Sequence, residues 1–328
     1  MVLMILTEEL NRETEVYFRE KGWLKAENEL LGYAKAGEGN MNFVARVKTD
    51  SFSFIVKQSR AYVEKYKQVP APIERIEVEH AFYEATSQSE LISDFSPEIL
   101  DFDKDNHVMV MEDLGEGTDF LGLYSGKIAV TKEEIVVLIK YMTALHGLKP
   151  SDFPDNADMK TLNHEHIFNY PYLEENGFDL NSVEEGLQEL AMPLKQNEAL
   201  KAKIKEIGDR YLAKGKTLLH GDFYPGSWLK VEDSLKVIDP EFAFMGDPEF
   251  DLGVMLAHFK LAGLSQELID FTKSQYKKER SFDEKLLNEY IAVEILRRLI
   301  GLAQLPLGLN LDQKQALAYE ATELILSK

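Results

Sequence analysis

The chain has 328 residues, of which 45% are hydrophobic, and its formal net charge is −20 at pH 7. That length suits one large domain or two lobes, and the apolar residues suffice for a sizeable core. No run of Lys and Arg forms a basic stripe, so nucleic acid and anionic membranes are poor partners. The absence of cysteine excludes disulfides and thiolate metal sites.

The beginning of the chain carries no pattern typical of an export signal. The opening MVLMIL is too short for the core of a signal peptide and lacks a basic lead. No apolar run approaches the ~20 residues that a membrane-spanning helix needs. We therefore expect a globular, cytoplasmic protein without a membrane partner.

The first third of the chain alternates between helical and extended patterns. TEELNRETEVYFREKGW has helical spacing, with Thr7 in the N-cap position. Strands are predicted for ELLGYAKA, NFVARVK and SFSFIVKQ, which are rich in aromatic and β-branched residues. A helical stretch, IERIEVEHAFYEATSQ, and two short strands, EILDFD and HVMVMED, follow. Together these elements predict a small sheet that carries one prominent helix.

Helical spacing dominates the rest of the chain. It begins at EEIVVLIKYMTALHGL and is interrupted by a short strand pair inside LHGDFYPGSWLKVEDSLKVID. A Gly-rich acidic connector, LGEGTD, separates the two patterns. The chain is therefore predicted to be an α+β protein of two lobes. The smaller lobe, at 1–114, has an antiparallel sheet, and the larger lobe, at 115–328, is mainly helical.

Three carboxylates near the strand pair have an order that suggests a chemical site. Asp222 follows an apolar run in HGD, whereas Asp239 and Glu241 follow the second strand in VIDPEF. Residues two apart in an extended segment point to the same side, so Asp239 and Glu241 are expected to face one ligand. Two carboxylates on one side are suitable ligands for Mg²⁺. Asp222 lies apart from them and is a candidate to accept the proton of an attacking hydroxyl. Solvated loop acids are the alternative for each residue alone, but the ordered set favours a site.

The upstream lobe contains candidate groups for binding nucleotide phosphates. KAGEGNMNFV lies between two predicted strands and contains Gly37 and Gly39, with Asn40 next to them. Glycines there let the backbone approach phosphates closely, although a Gly-rich hairpin is often only a turn. Lys57, near the end of SFSFIVKQ, is a candidate point charge for phosphate oxygens. The alternative for Lys57 is a solvated residue at a strand end.

Two further elements bear on this nucleotide half. The helix RIEVEHAFY carries Glu77 and Glu79 about 200° apart, so only one of them can turn inward to pair with Lys57. In VMEDLG, the backbone groups from Glu112 to Leu114 are candidates for hydrogen bonds to an adenine ring.

In this order, the motifs resemble the protein-kinase-like fold in its small-molecule branch, which includes aminoglycoside phosphotransferases, choline kinases and 5-methylthioribose kinases. The strongest resemblance is to the methylthioribose kinases, through GEGNMNFV, IVKQ, RIE, VMEDL, HGD followed by GS, VIDPEFAF and ILRRLIGLA. VIDPEFAF and RRLIGLA are the most specific of these, whereas HGD marks only the wider superfamily. The resemblance implies an ATP- and Mg²⁺-dependent kinase for a small-molecule alcohol or sugar, acting in methionine salvage. It leaves a homodimer open.

The resemblance implies roles for matching positions of the catalytic lobe. Asp222 resembles the catalytic Asp, and Asp239 and Glu241 resemble the metal-binding pair. Ser227 occupies the slot where many relatives carry a metal-holding Asn. A hydroxyl is a weaker ligand, so a supporting or water-mediated role is implied. Asp251, in FDLG, resembles an acid that holds the catalytic loop.

The resemblance also covers the upstream lobe. Lys57 resembles the phosphate-binding Lys of the family. Glu77 is the better-matched partner because it completes RIE, and Glu79 is the alternative. His220, before the catalytic Asp, is expected to act through packing and hydrogen bonding.

Arg297 and Arg298 lie side by side in EILRRLIGLA. Adjacent helical residues are about 100° apart, so both guanidiniums can border one pocket. Two arginines on a helix often face solvent, but the flanking residues here are apolar, and a buried charge needs a partner. The pair resembles the arginines that bind the sugar in methylthioribose kinases, which implies contact with acceptor hydroxyls.

Two departures from the methylthioribose kinase pattern bear on the acceptor. The middle of the catalytic loop reads FYP, and MGDPEFD after VIDPEFAF is closer to the choline and aminoglycoside branch. The predicted reaction is transfer of the γ-phosphoryl group of ATP to a sugar hydroxyl, with 5-methylthioribose or a related sugar as the favoured acceptor. The alternatives are a choline- or aminoglycoside-type kinase and a catalytically inactive nucleotide-binding protein.

Overall fold

A computed structural model of the chain describes residues 3–37 and 41–327. The chain divides into two compact units, one that runs to Glu116 and one that begins at Gly117. The N-terminal unit is built on a sheet, whereas helices make up most of the C-terminal unit.

Five strands of the N-terminal unit form one antiparallel sheet. The strands of this unit are β1 (Leu30–Lys35), β2 (Phe43–Thr49), β3 (Ser53–Gln58), β4 (Tyr62–Val63), β5 (Tyr66–Pro70), β6 (Ile99–Asp103) and β7 (Val108–Glu112). The sheet order is β1-β2-β3-β7-β6, so β3 is its central strand. The strands β4 and β5 form a separate small hairpin, which the sequence analysis did not predict. Burial alternates along β2, because successive side chains of a strand point to opposite faces.

The α-helices described in the same unit are α1 (Arg12–Glu20), α2 (Arg75–Thr86) and α3 (Glu90–Asp94). The helix α1 begins later than predicted, since its N-cap is Asn11 rather than Thr7. The Asn11 side chain accepts a hydrogen bond from the backbone N–H of Thr14 at 2.8 Å, which satisfies one of the free donors of the first turn. Phe18 of α1 is fully buried in a core that includes Phe54 of β3.

The C-terminal unit is mainly helical. Its helices are α4 (Lys132–Leu145), α5 (Ala157–His164), α6 (Leu187–Lys195), α7 (Glu198–Leu212), α8 (Glu249–Leu261), α9 (Gln266–Glu279), α10 (Glu284–Ile300) and α11 (Leu311–Leu326). Its short strands are β8 (Gly117–Asp119), β9 (Thr217–Leu219), β10 (Trp228–Val231), β11 (Ser234–Val237) and β12 (Phe244–Gly246). The β10–β11 hairpin confirms the predicted strand pair. Within the described residues, no helix combines the length and the apolar character that a membrane crossing requires.

The helices α8 and α10 pack against each other and are buried over nearly their whole lengths. Gly253 of α8 lies directly on α10, since a Cβ atom at Gly253 would meet the Cβ of Tyr290 at 2.8 Å. A helix that is buried on all sides has no solvated face for its charged residues. Arg297 and Arg298 of α10 must therefore find partners inside the protein.

The predicted α+β class, a small antiparallel sheet followed by a mainly helical part, is confirmed. Its physical basis is the change from a two-residue to a 3.6-residue burial period along the chain.

Candidate active site

A buried carboxylate of α8 holds the loop that carries Asp222. Asp251 accepts hydrogen bonds from the backbone N–H groups of His220, at 2.8 Å, and Gly221, at 3.0 Å. The Nε2 atom of His146 lies 3.2 Å from the same carboxylate. The prediction that Asp251 holds the catalytic loop is therefore confirmed.

The same loop is seated on the segment that follows β11. Gly221 has a φ of +84°, and a Cβ atom there would lie 2.1 Å from the backbone oxygen of Phe242, so only glycine fits. His220 is fully buried, and its Nε2 atom lies 3.1 Å from the backbone oxygen of Ile238. The predicted packing and hydrogen-bonding role of His220 is confirmed.

Asp222 is partly exposed and faces a guanidinium. Its side chain keeps 27% of its surface exposed, and its Oδ1 atom lies 3.9 Å from Nη2 of Arg298. Burial raises the pKa of Asp222 to about 6, against the opposing effect of Arg298 and Arg297. The negative charges of Glu294 and Asp239 act in the same direction as burial. A carboxylate with this pKa is ionised at neutral pH and is still basic enough to accept a proton.

The two carboxylates after β11 do not lie in an extended segment. The strand ends at Val237, Asp239 has a φ of +70°, and Ala243 N–H closes a turn onto the oxygen of Pro240 at 3.0 Å. The alternation argument that placed Asp239 and Glu241 on one side was therefore wrong. A left-handed backbone is costly for a residue with a Cβ and is frequent at functional sites.

This turn is fixed from α5. The Nδ2 atom of Asn156, directly before α5, donates to the backbone oxygens of Glu241 at 3.0 Å and Ala243 at 2.9 Å. The Glu241 side chain is buried, with 2% of its surface exposed. Asp239 is half-buried, and its charge contributes to raising the pKa of Asp222. The turn that carries both carboxylates therefore lies beside the catalytic loop, since Phe242 contacts Gly221.

The donor set of this region fits Mg²⁺ in its chemistry. Asp239, Glu241 and Ser227 supply only oxygen atoms, which Mg²⁺ prefers. In the described part of the chain, no cluster of three or more His, Cys, Asp or Glu side chains could hold a metal ion. The assignment of Asp239 and Glu241 as ligands of Mg²⁺ stays a prediction, and water and phosphate oxygens usually complete the shell of this ion. The Ser227 hydroxyl donates to the backbone oxygen of Asp222 at 2.8 Å, so it shapes the loop, and its contact with metal stays a prediction.

Arg297 and Arg298 are buried in α10, with 8% and 6% of their surfaces exposed. Nε of Arg298 donates to Oε1 of Glu294 at 2.7 Å, and Nε of Arg297 lies 3.1 Å from Oε2 of the same carboxylate. Nη1 of Arg297 donates to Oδ1 of Asn163 at 3.3 Å, and the Arg298 guanidinium lies 5.4 Å from the ring centre of Tyr224. The expectation that a buried pair has partners is confirmed. Its contact with an acceptor stays a prediction.

In the N-terminal unit, Lys57 of the central strand β3 is buried rather than solvated. Its Nζ atom lies 2.8 Å from Oε1 and 2.6 Å from Oε2 of Glu79. Glu77 instead pairs with Lys104 at 2.8 Å, so the preference for Glu77 as the partner of Lys57 was wrong. The reason is the rotation of α2. Arg75 and Glu79 are four residues apart and lie on the same face of this helix, which turns into the interior, so that each keeps only 1% of its surface exposed.

The Gly-rich segment begins directly after β1. Gly37 has a φ of +72°, a conformation that favours glycine, whereas Gly39 and Asn40 lie outside the described residues. The residues after the segment are tied to α2, because Nε of Arg75 donates to Oδ1 of Asn42 at 2.9 Å. The role of these glycines at phosphates stays a prediction.

The connector that starts in VMEDLG is only partly available to an adenine ring. The backbone N–H of Glu112 donates to the oxygen of Glu98 at 2.8 Å, so this donor is already used. Leu114 lies beyond the end of β7, and hydrogen bonding of its backbone to an adenine ring stays a prediction. Arg46 of β2 holds the connector, since its Nη2 atom donates to the oxygen of Gly115 at 2.6 Å.

Sequence reasoning missed three residues that hold candidate functional segments within their own units, namely Glu294 and Asn156 in the C-terminal unit and Arg46 in the N-terminal unit. A local signal existed for Glu294, which precedes the arginine pair by three and four residues, the spacing of ion pairs on one helix face. Asn156 and Arg46 act on segments that are distant in sequence, so no local pattern marks them.

Comparisons with known proteins identify the family of this chain. The model of the phosphotransferase enzyme family (APH) matches residues 34–282, more than half of the chain. The chain is similar to methylthioribose kinase from Bacillus mycoides (strain KBAB4), with 25% identity over 338 residues that cover 88% of this chain and 83% of the relative. It is also similar to methylthioribose kinase 1 from Oryza sativa subsp. japonica, with 28% identity over 253 residues that cover 72% of this chain and 57% of the relative.

A solved structure supports the same fold. The crystal structure of choline kinase LicA from Streptococcus pneumoniae matches with a TM-score of 0.56 and 16% identity, covering 96% of this chain and 100% of that chain. The predicted kinase-like fold is therefore confirmed, and the prediction of a phosphotransferase is confirmed at the level of the family. The family match includes the catalytic loop but ends before α10 begins. The chain belongs to the phosphotransferase enzyme family and has the fold of a small-molecule kinase.

Proposed function

We propose that this protein transfers the γ-phosphoryl group of ATP to a hydroxyl of an uncharged sugar, 5-methylthioribose or a related pentose derivative. The observation that carries the choice of acceptor is the guanidinium of Arg298, 3.9 Å from the Asp222 carboxylate, with Arg297 next to it. Curated relatives along most of the chain are methylthioribose kinases, which supports the same acceptor class.

The twin arginines argue against a cationic acceptor. A choline, an ethanolamine or an aminoglycoside would place a cation beside the Arg298 guanidinium, which lies 3.9 Å from Asp222, and a close contact between like charges is unfavourable there although Glu294 and Asp222 balance the two arginines overall. A sugar hydroxyl instead can accept a hydrogen bond from a guanidinium and donate its proton to Asp222. The arrangement therefore favours a neutral polyol.

In the proposed reaction, the acceptor oxygen attacks the γ-phosphorus while the bond from this phosphorus to the β–γ bridging oxygen breaks. The acceptor proton passes to Asp222, and ADP leaves. The raised pKa of Asp222, about 6, suits this proton transfer at neutral pH. Asp251 contributes by fixing the loop backbone, so that the carboxylate is held ready before substrate binds.

The nucleotide side of the proposal rests on charge. Lys57, held by Glu79, would neutralise phosphate oxygens, and Gly37 with its neighbours would let backbone N–H groups approach them. Asp239 and Glu241 would hold Mg²⁺, with Ser227 in support. When bound, this ion neutralises charge on the phosphates during transfer.

The decisive test is Mg²⁺-dependent release of ADP from ATP, measured across 5-methylthioribose, other pentoses, choline and aminoglycosides. We expect turnover with an uncharged pentose derivative and none with the cationic acceptors. Turnover with choline or an aminoglycoside would assign the chain to that branch instead. Tight ATP binding with no turnover on any acceptor would identify a nucleotide-binding protein.

A further inference from the structure

One buried carboxylate, Glu294, connects the two arginines of α10. It has 2% of its surface exposed. It accepts a hydrogen bond from Nε of Arg298 at 2.7 Å and lies 3.1 Å from Nε of Arg297. Burial alone would raise the pKa of Glu294, but the two guanidiniums and the hydrogen bond from His258 hold this pKa well below its usual range. Glu294 is therefore ionised at neutral pH.

Glu294 is itself held in place from another helix. Nε2 of His258, on α8, donates to Oε1 of Glu294 at 2.9 Å. Nδ1 of His258 accepts a hydrogen bond from the hydroxyl of Tyr124, in the segment Leu121–Ser125. All three side chains are buried. A fully satisfied chain of hydrogen bonds of this kind restricts each member to one geometry.

The charges of the two arginines and the two carboxylates next to them balance. Arg297 and Arg298 contribute two positive charges, while Glu294 and Asp222 contribute two negative ones, so the net charge of the four is zero. Without Glu294, the side of the loop that faces α10 would carry one positive charge in excess. In a partly buried setting such an excess acts strongly on any charged ligand.

We propose that Glu294 is a positioning and specificity-determining residue, which aims Arg298 at the acceptor side of Asp222 and makes the site select uncharged acceptors over anionic ones. The acceptor selectivity in this inference rests on the proposed function, whereas the positioning of Arg298 does not. The helix α10, which carries Glu294, lies beyond the region that the family model matches.

A role in folding alone is the alternative. Buried ion pairs are weak evidence for stability, because hydrophobic replacements are often neutral or stabilising. A folding role would change the fraction of active enzyme, whereas the proposed role changes the acceptor KM and the choice of acceptor.

The kinetic test compares two acceptors, 5-methylthioribose and ribose 5-phosphate, in the wild type and in Glu294→Gln. The wild type should favour the neutral acceptor by at least about tenfold in kcat/KM. In Glu294→Gln, the KM for the neutral acceptor should rise about tenfold, which corresponds to ~1.4 kcal/mol. The ratio of kcat/KM for the neutral acceptor to kcat/KM for the anionic acceptor should fall by a similar factor. The KM for ATP should stay within about twofold.

The matched control is Glu289→Gln, which removes the same charge from the same helix. Glu289 interacts electrostatically with Lys285, Lys203 and Arg210. Its variant should leave both acceptor KM values and their ratio unchanged. The double variant Glu294→Gln, Arg297→Gln restores neutrality, so its preference should return toward the neutral acceptor while its KM stays high. An unchanged acceptor ratio in Glu294→Gln would overturn the specificity role.

The positioning role can also be tested on the wild type alone, so that this test does not depend on the folding of any variant. The Nε–H of Arg298 is buried and bonded to Glu294, so its hydrogen exchange, followed by nuclear magnetic resonance, should be slowed at least about tenfold relative to an exposed arginine. Fast exchange would overturn the positioning role. A wild type without turnover on any acceptor would overturn the proposed function and the selectivity with it, whereas slow exchange would still support the positioning role of Glu294.

Discussion

The Nη2 atom of Arg298 lies 3.9 Å from Oδ1 of Asp222, within the range of an ion pair but beyond that of a hydrogen bond. Arg298 therefore stabilises the negative charge of Asp222 without occupying its acceptor positions. A carboxylate in this state keeps its capacity to take a proton from a bound hydroxyl.

The first prediction concerns Asp222→Asn, a substitution of nearly equal size that removes the proton acceptor. It should lower kcat about 10²–10⁴-fold, because general base catalysis contributes that much, while the Kd of MgATP changes little. Steady-state kinetics and calorimetric titration with MgATP measure both quantities. Asp209→Asn is the control, since Asp209 forms an exposed ion pair with Lys205 at 2.6 Å on α7. Near-normal kcat in Asp222→Asn would remove Asp222 from the reaction.

The second prediction separates the two glutamates of α2. Glu79→Gln takes a buried charge away from Lys57, which should weaken MgATP binding about tenfold or more, or ~1.4 kcal/mol. Glu77→Gln only affects a pair with Lys104, whose side chain is 70% exposed, so MgATP binding should be unchanged. The measurement is the Kd of MgATP for both variants. Equal effects would contradict the pairing with Glu79.

The third prediction concerns Arg298→Lys, which keeps the charge but loses the planar fork of donors. The KM for the sugar acceptor should rise about tenfold, the loss of a charged hydrogen bond, while the KM for ATP changes little. Arg210→Lys is the control, because Arg210 forms a surface pair with Asp247. Equal increases in both KM values would place Arg298 outside the acceptor site.

How far the sequence predicted this molecule depends on the kind of interaction. The five strands of the main sheet, the β10–β11 hairpin, the helical character of the second part and the order of the acidic motifs follow from local patterns, and they were predicted. The choice between Glu77 and Glu79 depends on how α2 is rotated on the sheet, which a motif match does not encode. Packing in three dimensions decided it, since Glu79 shares the buried face of Arg75.

The turn after β11 illustrates a second limit. Its residues Asp239 and Glu241 were identified correctly as neighbours in sequence, but an extended backbone was assumed. The turn is held by Asn156 from α5, a contact across a long sequence separation. The left-handed backbone of Asp239 was therefore missed, because the contact that holds the following turn comes from a distant part of the chain.

The fourth prediction is a loss of stability toward acid. Burial lowers the pKa of His258 to about 4, in spite of its hydrogen bond with Glu294. In an unfolded chain, histidine titrates near ~6.5. Below that pH the unfolded chain takes up a proton that the folded protein does not accept until about pH 4. The free energy of unfolding should therefore fall as the pH drops through this window, by up to ~3 kcal/mol.

This pH dependence can be assigned to one residue. His258→Gln should be less stable at neutral pH, but its stability should change less between pH 6.5 and 4, since the titrating group is gone. Urea unfolding at each pH gives the required free energies. Parallel pH profiles for the wild type and the variant would show that other groups account for the loss.

The contact at Gly253 links catalysis to the spacing of two helices. Asp251, which holds the loop that carries Asp222, lies on α8 together with His258. Glu294, Arg297 and Arg298 lie on α10. At Gly253 the two helices approach so closely that a Cβ atom would meet Tyr290 at 2.8 Å. The separation between the base and the guanidiniums therefore depends on a helix–helix distance as well as on the loop itself. A new acceptor of different size could accordingly be accommodated by shifting this helix pair, with every catalytic side chain left unchanged.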